Sequence, residues 1–160
     1  TLLCNLCTQT YNKSSLIPVI IVHTYFKFIE TPELVDLKHH NAPDIKNKSF
    51  GDIEINKDGK PSIIIEIKHG LEINESYLMT MARKTKGLNT KNYVLTSLTY
   101  QRYAYNEKYN TVLWNVASFV HYNLYNSTKE SLYIEMLHHR FMKANIDLQT
   151  KEKIQNCFQK

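Results

Sequence analysis

The chain has 160 residues, 42% hydrophobic and 22% charged, with four glycines, four prolines and a formal net charge of +5. That balance excludes a disordered or linker-rich polypeptide and fits one globular domain over residues 1–160, with residues 1–15 expected as a poorly ordered N-terminal segment. The positive charge suits a polyanionic partner such as nucleic acid without specifying one.

No apolar run reaches the ~18 residues of a membrane span, because Leu16 to Ile29 is interrupted by Pro18, His23 and Lys27. The opening segment lacks the basic region and long apolar centre of a signal peptide, so a cytoplasmic protein is expected, and Thr1 in place of Met leaves a longer parent chain open. Cys4, Cys7 and Cys157 form an odd set that reads as reduced thiols. Cys4 and Cys7 have the spacing of half a zinc site, which His39 and His40 could complete, but two cysteines near the terminus are the preferred reading.

In chain order, Ser14 and Ser15 precede an apolar stretch from Leu16 to Phe28, read as a helix with a serine cap and Pro18 in its first turn. Its β-branched run Val19 to Val22 also suits a strand. Thr31-Pro32-Glu33-Leu34 resembles a new helix start, with Glu33 favoured there by the helix dipole. Residues 41–49, which contain Pro43-Asp44, read as a loop.

From Phe50 to Gly70 the chain reads as a hairpin. A three-residue loop Lys57-Asp58-Gly59, with Gly59 left-handed, pairs Asn56 with Lys60 and sets Asp52 opposite Ile64. A two-residue Asp58-Gly59 turn would shift the pairing by one and send Asp52 and Glu66 to opposite faces, but Pro61 lacks the N–H for a tight ladder beside the turn. The three-residue loop gathers Asp52, Glu54, Glu66 and Lys68 on one face and Ile53, Ile55, Ile63, Ile65 and Ile67 on the other. The isoleucines are expected to bury under helices. Glu54 reads as a solvated strand position or a supporting acid, and His69 as a packed histidine on the other face.

Glu72 to Lys86 reads as a helix and Asn92 to Ser97 as a short apolar strand. Arg83, Lys84 and Lys86, at the end of that helix, suit either a phosphate clamp or charges that cap its last turn. Tyr100 to Asn110, with Arg102 and several tyrosines, is the expected substrate-facing loop. Leu113, Trp114, Ala117, Val120, His121 and Leu124 recur at helical spacing, so packing is the default role for the rings around them. A capped helix follows from Ser127, with Leu132, Met136, Leu137 and Phe141 as its apolar stripe, and a short helix over Thr150 to Phe158 closes the chain.

Asp52 followed fourteen residues later by Glu66-Ile67-Lys68 resembles the signature of the PD-(D/E)XK nuclease superfamily, most closely that of type II restriction endonucleases. The resemblance covers about a third of the chain, and the order hairpin, helix, strand is what that family's core would have. It implies an α/β fold with a restriction-endonuclease-like core, a central mixed sheet flanked by helices. By position, Asp52 and Glu66 would be catalytic metal ligands for Mg²⁺, and Lys68 would orient or activate the attacking water. Asp44 is a competing first acid, and Glu54, Glu33 and Asp44 are possible supporting acids. Arg83, Lys84, Lys86 and Arg102 are the candidate contacts to double-stranded DNA, and a homodimer is expected because both strands of a duplex need cutting. Other readings are a nuclease-like module that binds DNA or a protein partner without cutting, and a junction-resolving or repair nuclease of the same superfamily.

Overall fold

The structure, a computed structural model, describes residues 1–10, 14–30, 35–37, 51–124 and 128–159. Its elements are α1 (Leu2–Gln9), α2 (Leu16–Ile29), β1 (Val35–Leu37), β2 (Ile53–Lys57), β3 (Lys60–Lys68), α3 (Glu75–Lys84), β4 (Lys91–Thr96), β5 (Ala104–Asn106), β6 (Thr111–Asn115), α4 (Val116–Leu124), α5 (Lys129–Lys143) and α6 (Leu148–Phe158). The described strands form one mixed sheet in the order β1-β2-β3-β4-β6-β5. β1, β2 and β3 are antiparallel, β3, β4 and β6 run parallel, and β5 closes the far edge antiparallel to β6. The protein is therefore α/β, with helices on both sides of a mixed sheet.

The two faces carry unequal cores. Ile53, Ile55, Ile65, Ile67 and Leu95 meet apolar residues from α1, α2, α4, α5 and α6 in the main cluster. On the other face Ile64, Val94 and Leu113 meet Leu78 and Met81 of α3 in a smaller one. Ile64 lies on the face that also carries Glu66 and Lys68, so α3 roofs the charged side of the sheet. A parallel β3-α3-β4 crossover needs a helix of this kind, and its apolar stripe seals the cluster below.

α2 confirms the helical reading of residues 16–28. Ile17 through Phe26 are all buried, and a helix apolar on every side belongs inside a core. Enclosure by the sheet and neighbouring helices outweighs the weak helix propensity of its β-branched residues. Pro18 lies in the first turn, where its missing N–H costs nothing. Ser14 Oγ accepts from the Leu16 N–H at 3.1 Å.

Several expectations are corrected. Residues 1–10 carry α1, a helix rather than an extended tail, which buries Leu3, Leu6 and Cys7 in the main core, with Thr1 capping its N-terminus. Val35–Leu37 is a strand rather than the body of a helix, because β2 offers it an antiparallel edge. Leu113 and Trp114 belong to β6, and the helix begins only at Val116, so the helical spacing joined a strand to the helix after it. On α5 the buried stripe is Tyr133, Leu137 and Phe141, whereas Leu132 and Met136 are exposed. Tyr100 to Asn110 is not a free loop, since Ala104–Asn106 pairs with β6 as the edge strand.

Candidate active site at the end of the central strands

The β2–β3 turn is the tight two-residue one. Asp58 and Gly59 both have positive φ (54° and 76°), the left-handed pair of a hairpin turn whose twist matches the flanking strands. Lys57 pairs with Lys60 and Asn56 with Pro61, but Ile55 pairs with Ile63, so the register shifts between Ile55 and Asn56 and passes over Ser62. The irregularity falls beside Pro61, which has no N–H to give to the ladder. The expected three-residue loop is thus wrong. The shared face survives because the turn and the bulge each move the pairing by one residue. Beyond the bulge Ile53 faces Ile65, a register that brings Asp52 across from Glu66 instead of Ile64.

Asp52 stands just before β2, fixed by a hydrogen bond from the Ile67 N–H to its Oδ2 at 2.7 Å. Burial, reinforced by the charge of neighbouring Glu66 and a side-chain hydrogen bond between the two carboxyls, pushes its pKa up to about 7. The Ile67 N–H and Lys68 pull in the opposite direction without prevailing. Glu66 in turn meets two ammonium groups: Lys68 Nζ lies 3.5 Å from Oε1, and Lys84 Nζ donates to Oε2 at 3.3 Å. Lys68 also lies over the Tyr77 ring, 5.0 Å from its centroid. A cleft of about 20 Å³ opens between Glu66 and Lys68 on β3 and Tyr77, Thr80 and Lys84 on α3. That is room for one water or one small ion.

Asp52, Glu66 and Lys68 therefore come together as the sequence implies. Glu54 does not behave as a solvated strand residue: it is 3% exposed, opposite Ile64. Lys84 was read as a clamp or a capping charge, yet it enters the site and pairs with Glu66, because the crossover lays the last turn of α3 over β3. Arg83, Lys86 and Arg102 are exposed, and Arg83 Nη2 donates to Thr80 Oγ1 at 3.4 Å. Arg102 lies before β5, at the sheet end where β3, β4 and β6 finish. By strand order it is three spacings from Lys68, about 14 Å. Asp44, Glu33, His39 and His40 fall outside the described residues. His69 is half-buried, its Nδ1 within 3.1 Å of Ser97 Oγ. Cys7 is buried on α1, and burial pushes its thiol up to about 12.

Among the described residues no three His, Cys, Asp or Glu side chains converge to form a metal cage. The pair Asp52 and Glu66 nevertheless fits Mg²⁺, which takes one or two carboxylates and completes its shell with water and substrate phosphate. The electrostatics agree, since a cation between two carboxyls would relieve the repulsion that helps raise Asp52. No helix among the described residues is long and apolar enough to cross a membrane. The chain matches no known family model, and a search of curated proteins finds no relative.

Proposed function

We propose that this protein is a Mg²⁺-dependent DNA endonuclease of the PD-(D/E)XK type, with a restriction-endonuclease-like core that hydrolyses phosphodiester bonds in double-stranded DNA. The observation that carries the reading is the register that brings Asp52 across from Glu66, with Lys68 beside Glu66 on the same strand. The order helix, three antiparallel strands, helix and parallel strand supports it, since the resemblance calls for a hairpin, a helix and a strand in that sequence. The net charge of +5 and the exposed Arg83, Lys86 and Arg102 suit a phosphate backbone. The restriction role and a homodimer belong to the same proposal, because a duplex cut needs two such centres.

When bound, Mg²⁺ would supply charge neutralisation at the scissile phosphate and acidify a nearby water. The protein's own groups do the rest. Asp52, just before β2, and Glu66, on β3, would hold the cation, and the Ile67 N–H keeps the Asp52 carboxylate aimed. Lys68, held between Glu66 and the Tyr77 ring, directs its ammonium at the attacking water and the phosphate, where negative charge grows during displacement. α3 excludes bulk water from one side of the cleft, which strengthens those interactions.

The test is cleavage of plasmid, branched and single-stranded DNA by purified protein, with Mg²⁺ or with EDTA. Discrete Mg²⁺-dependent fragments from the plasmid are expected, and Asp52→Ala, Glu66→Ala and Lys68→Ala should each reduce the rate at least about 100-fold while the circular dichroism spectrum is unchanged. Preference for branched DNA would redirect the reading to a junction-resolving or repair nuclease. Binding without cutting would replace it with a DNA-binding module.

A further inference from the structure

Glu66 carries a second lysine for which the Asp and Glu-x-Lys pattern has no place. Lys84 is eighteen residues further along the chain and reaches Glu66 only because α3 crosses over β3. The two lysines divide the carboxylate: Lys68 faces Oε1 at 3.5 Å and Lys84 faces Oε2 at 3.3 Å. Both are largely screened from solvent, with side-chain exposures of 27% and 23%. Tyr77, Thr80 and Lys84 recur at three- and four-residue steps, so one stripe of α3 lines the cleft, and Lys84 stands on the stripe that also supports Lys68.

An ammonium and a divalent cation compete for the same carboxylate oxygens, and like charges a few ångströms apart in a partly buried cleft repel strongly. The cleft has room for one small occupant beside Glu66. We propose that Lys84 is a positioning residue that holds Glu66 through Oε2 until a divalent cation arrives, and then turns its ammonium to the phosphate of the substrate. The first half rests on the carboxylate pair alone, and the second half rests on the nuclease reading. Lys84 thereby sets how readily the site loads and supplies a phosphate-facing charge once it has loaded.

The experiment is titration of the purified chain with Mn²⁺ by calorimetry, alongside DNA cleavage at saturating Mn²⁺, for the wild type, Lys84→Gln, Lys84→Arg and Glu66→Gln. Lys84→Gln should bind Mn²⁺ at least about threefold more tightly, because a competing positive charge is gone. Its kcat should fall at least about tenfold with little change in KM, because a charge that acts in the transition state is lost. Lys84→Arg, which keeps the charge, should bind Mn²⁺ as the wild type does, and Glu66→Gln should bind it poorly. Unchanged or weaker Mn²⁺ binding by Lys84→Gln would overturn the proposal, as would a wild type that binds no Mn²⁺. An unchanged kcat would overturn the phosphate role. Tighter Mn²⁺ binding by Lys84→Gln, with a wild type that cuts no DNA, would uphold the control of loading and remove the nuclease reading instead.

Discussion

Asp52 is the residue where fold and charge are most directly in conflict. Its carboxyl is desolvated beside Glu66, so the ionised form costs more in the folded chain than in the unfolded one, and the pKa rises from 3.8 to about 7. The sign follows from that. Below the unfolded value the group is protonated in both states and costs nothing, and as pH climbs from about 4 to about 7 the unfolded chain ionises first and stability falls. Asp52→Asn removes the titration and keeps an oxygen for the Ile67 N–H. In EDTA at pH 8 it should be more stable than the wild type by about 1–2 kcal/mol, a few degrees in Tm, with the difference vanishing near pH 4. Thermal melts at both pH values check this, and an equal or lower Tm at pH 8 would contradict the assigned environment. Part of this site was legible from residue types, since an acid and a Glu-x-Lys on alternating strands announce a shared face. Lys84 was not, because nothing in a cationic last helical turn distinguishes a capping charge from a group folded back over the preceding strand.

At the scale of elements, the β2–β3 hairpin decides whether the site exists at all. Alternation in the sequence predicts the two faces, and they are right, but by a route other than the expected loop. A tight turn at Asp58-Gly59 shifts the pairing by one residue and the bulge beside Pro61 shifts it by one more in the same direction, so the total of two leaves every side chain on its expected face. Gly51 makes the site's other demand on this element. A Cβ there would lie 2.8 Å from the Ile65 carbonyl oxygen and 2.9 Å from Ile64 Cγ2, and a strand backbone cannot give way cheaply. Gly51→Ala should therefore cost about 1–3 kcal/mol and displace neighbouring Asp52, so that cleavage falls with stability. Gly59→Ala is the contrast: the space around it is open, and only the positive φ resists, at a cost of about 1 kcal/mol or somewhat more. Its cleavage rate per folded molecule should match the wild type. Denaturant midpoints and rates measured on both variants separate the two effects, and equal losses of activity would refute the claim that Gly51 positions the acid.

Over the whole molecule, stability and chemistry lie on opposite faces of one sheet. The main core joins five helices to the isoleucine face, while the site occupies the other face under α3. Phe141 is fully buried on α5, edge-on to Phe158 at 6.3 Å between ring centroids. Phe141→Ala should cost about 3–5 kcal/mol and lower Tm by on the order of 10 °C, yet leave Mg²⁺-dependent cleavage intact at temperatures where the variant stays folded. Loss of activity well below the melting transition would mean that the faces are coupled.

What could be read without coordinates was whatever local period and residue chemistry govern: the alternating strands Ile53–Lys57 and Lys60–Lys68, the helices α2, α3, α5 and α6, and the convergence of Asp52, Glu66 and Lys68. Tertiary structure alone decided the features set by distant partners. Val35–Leu37 became a strand because β2 had a free edge, α1 docked because the core had room for Leu3 and Leu6, and Glu54, between Asp36 and Ile64 in the sheet, became buried. Lys84 joined the site for the same reason. Period specifies which way a side chain faces on its own element, whereas the contact it makes depends on where the chain brings the next element, and in this protein that is the crossover that carries α3 over β3.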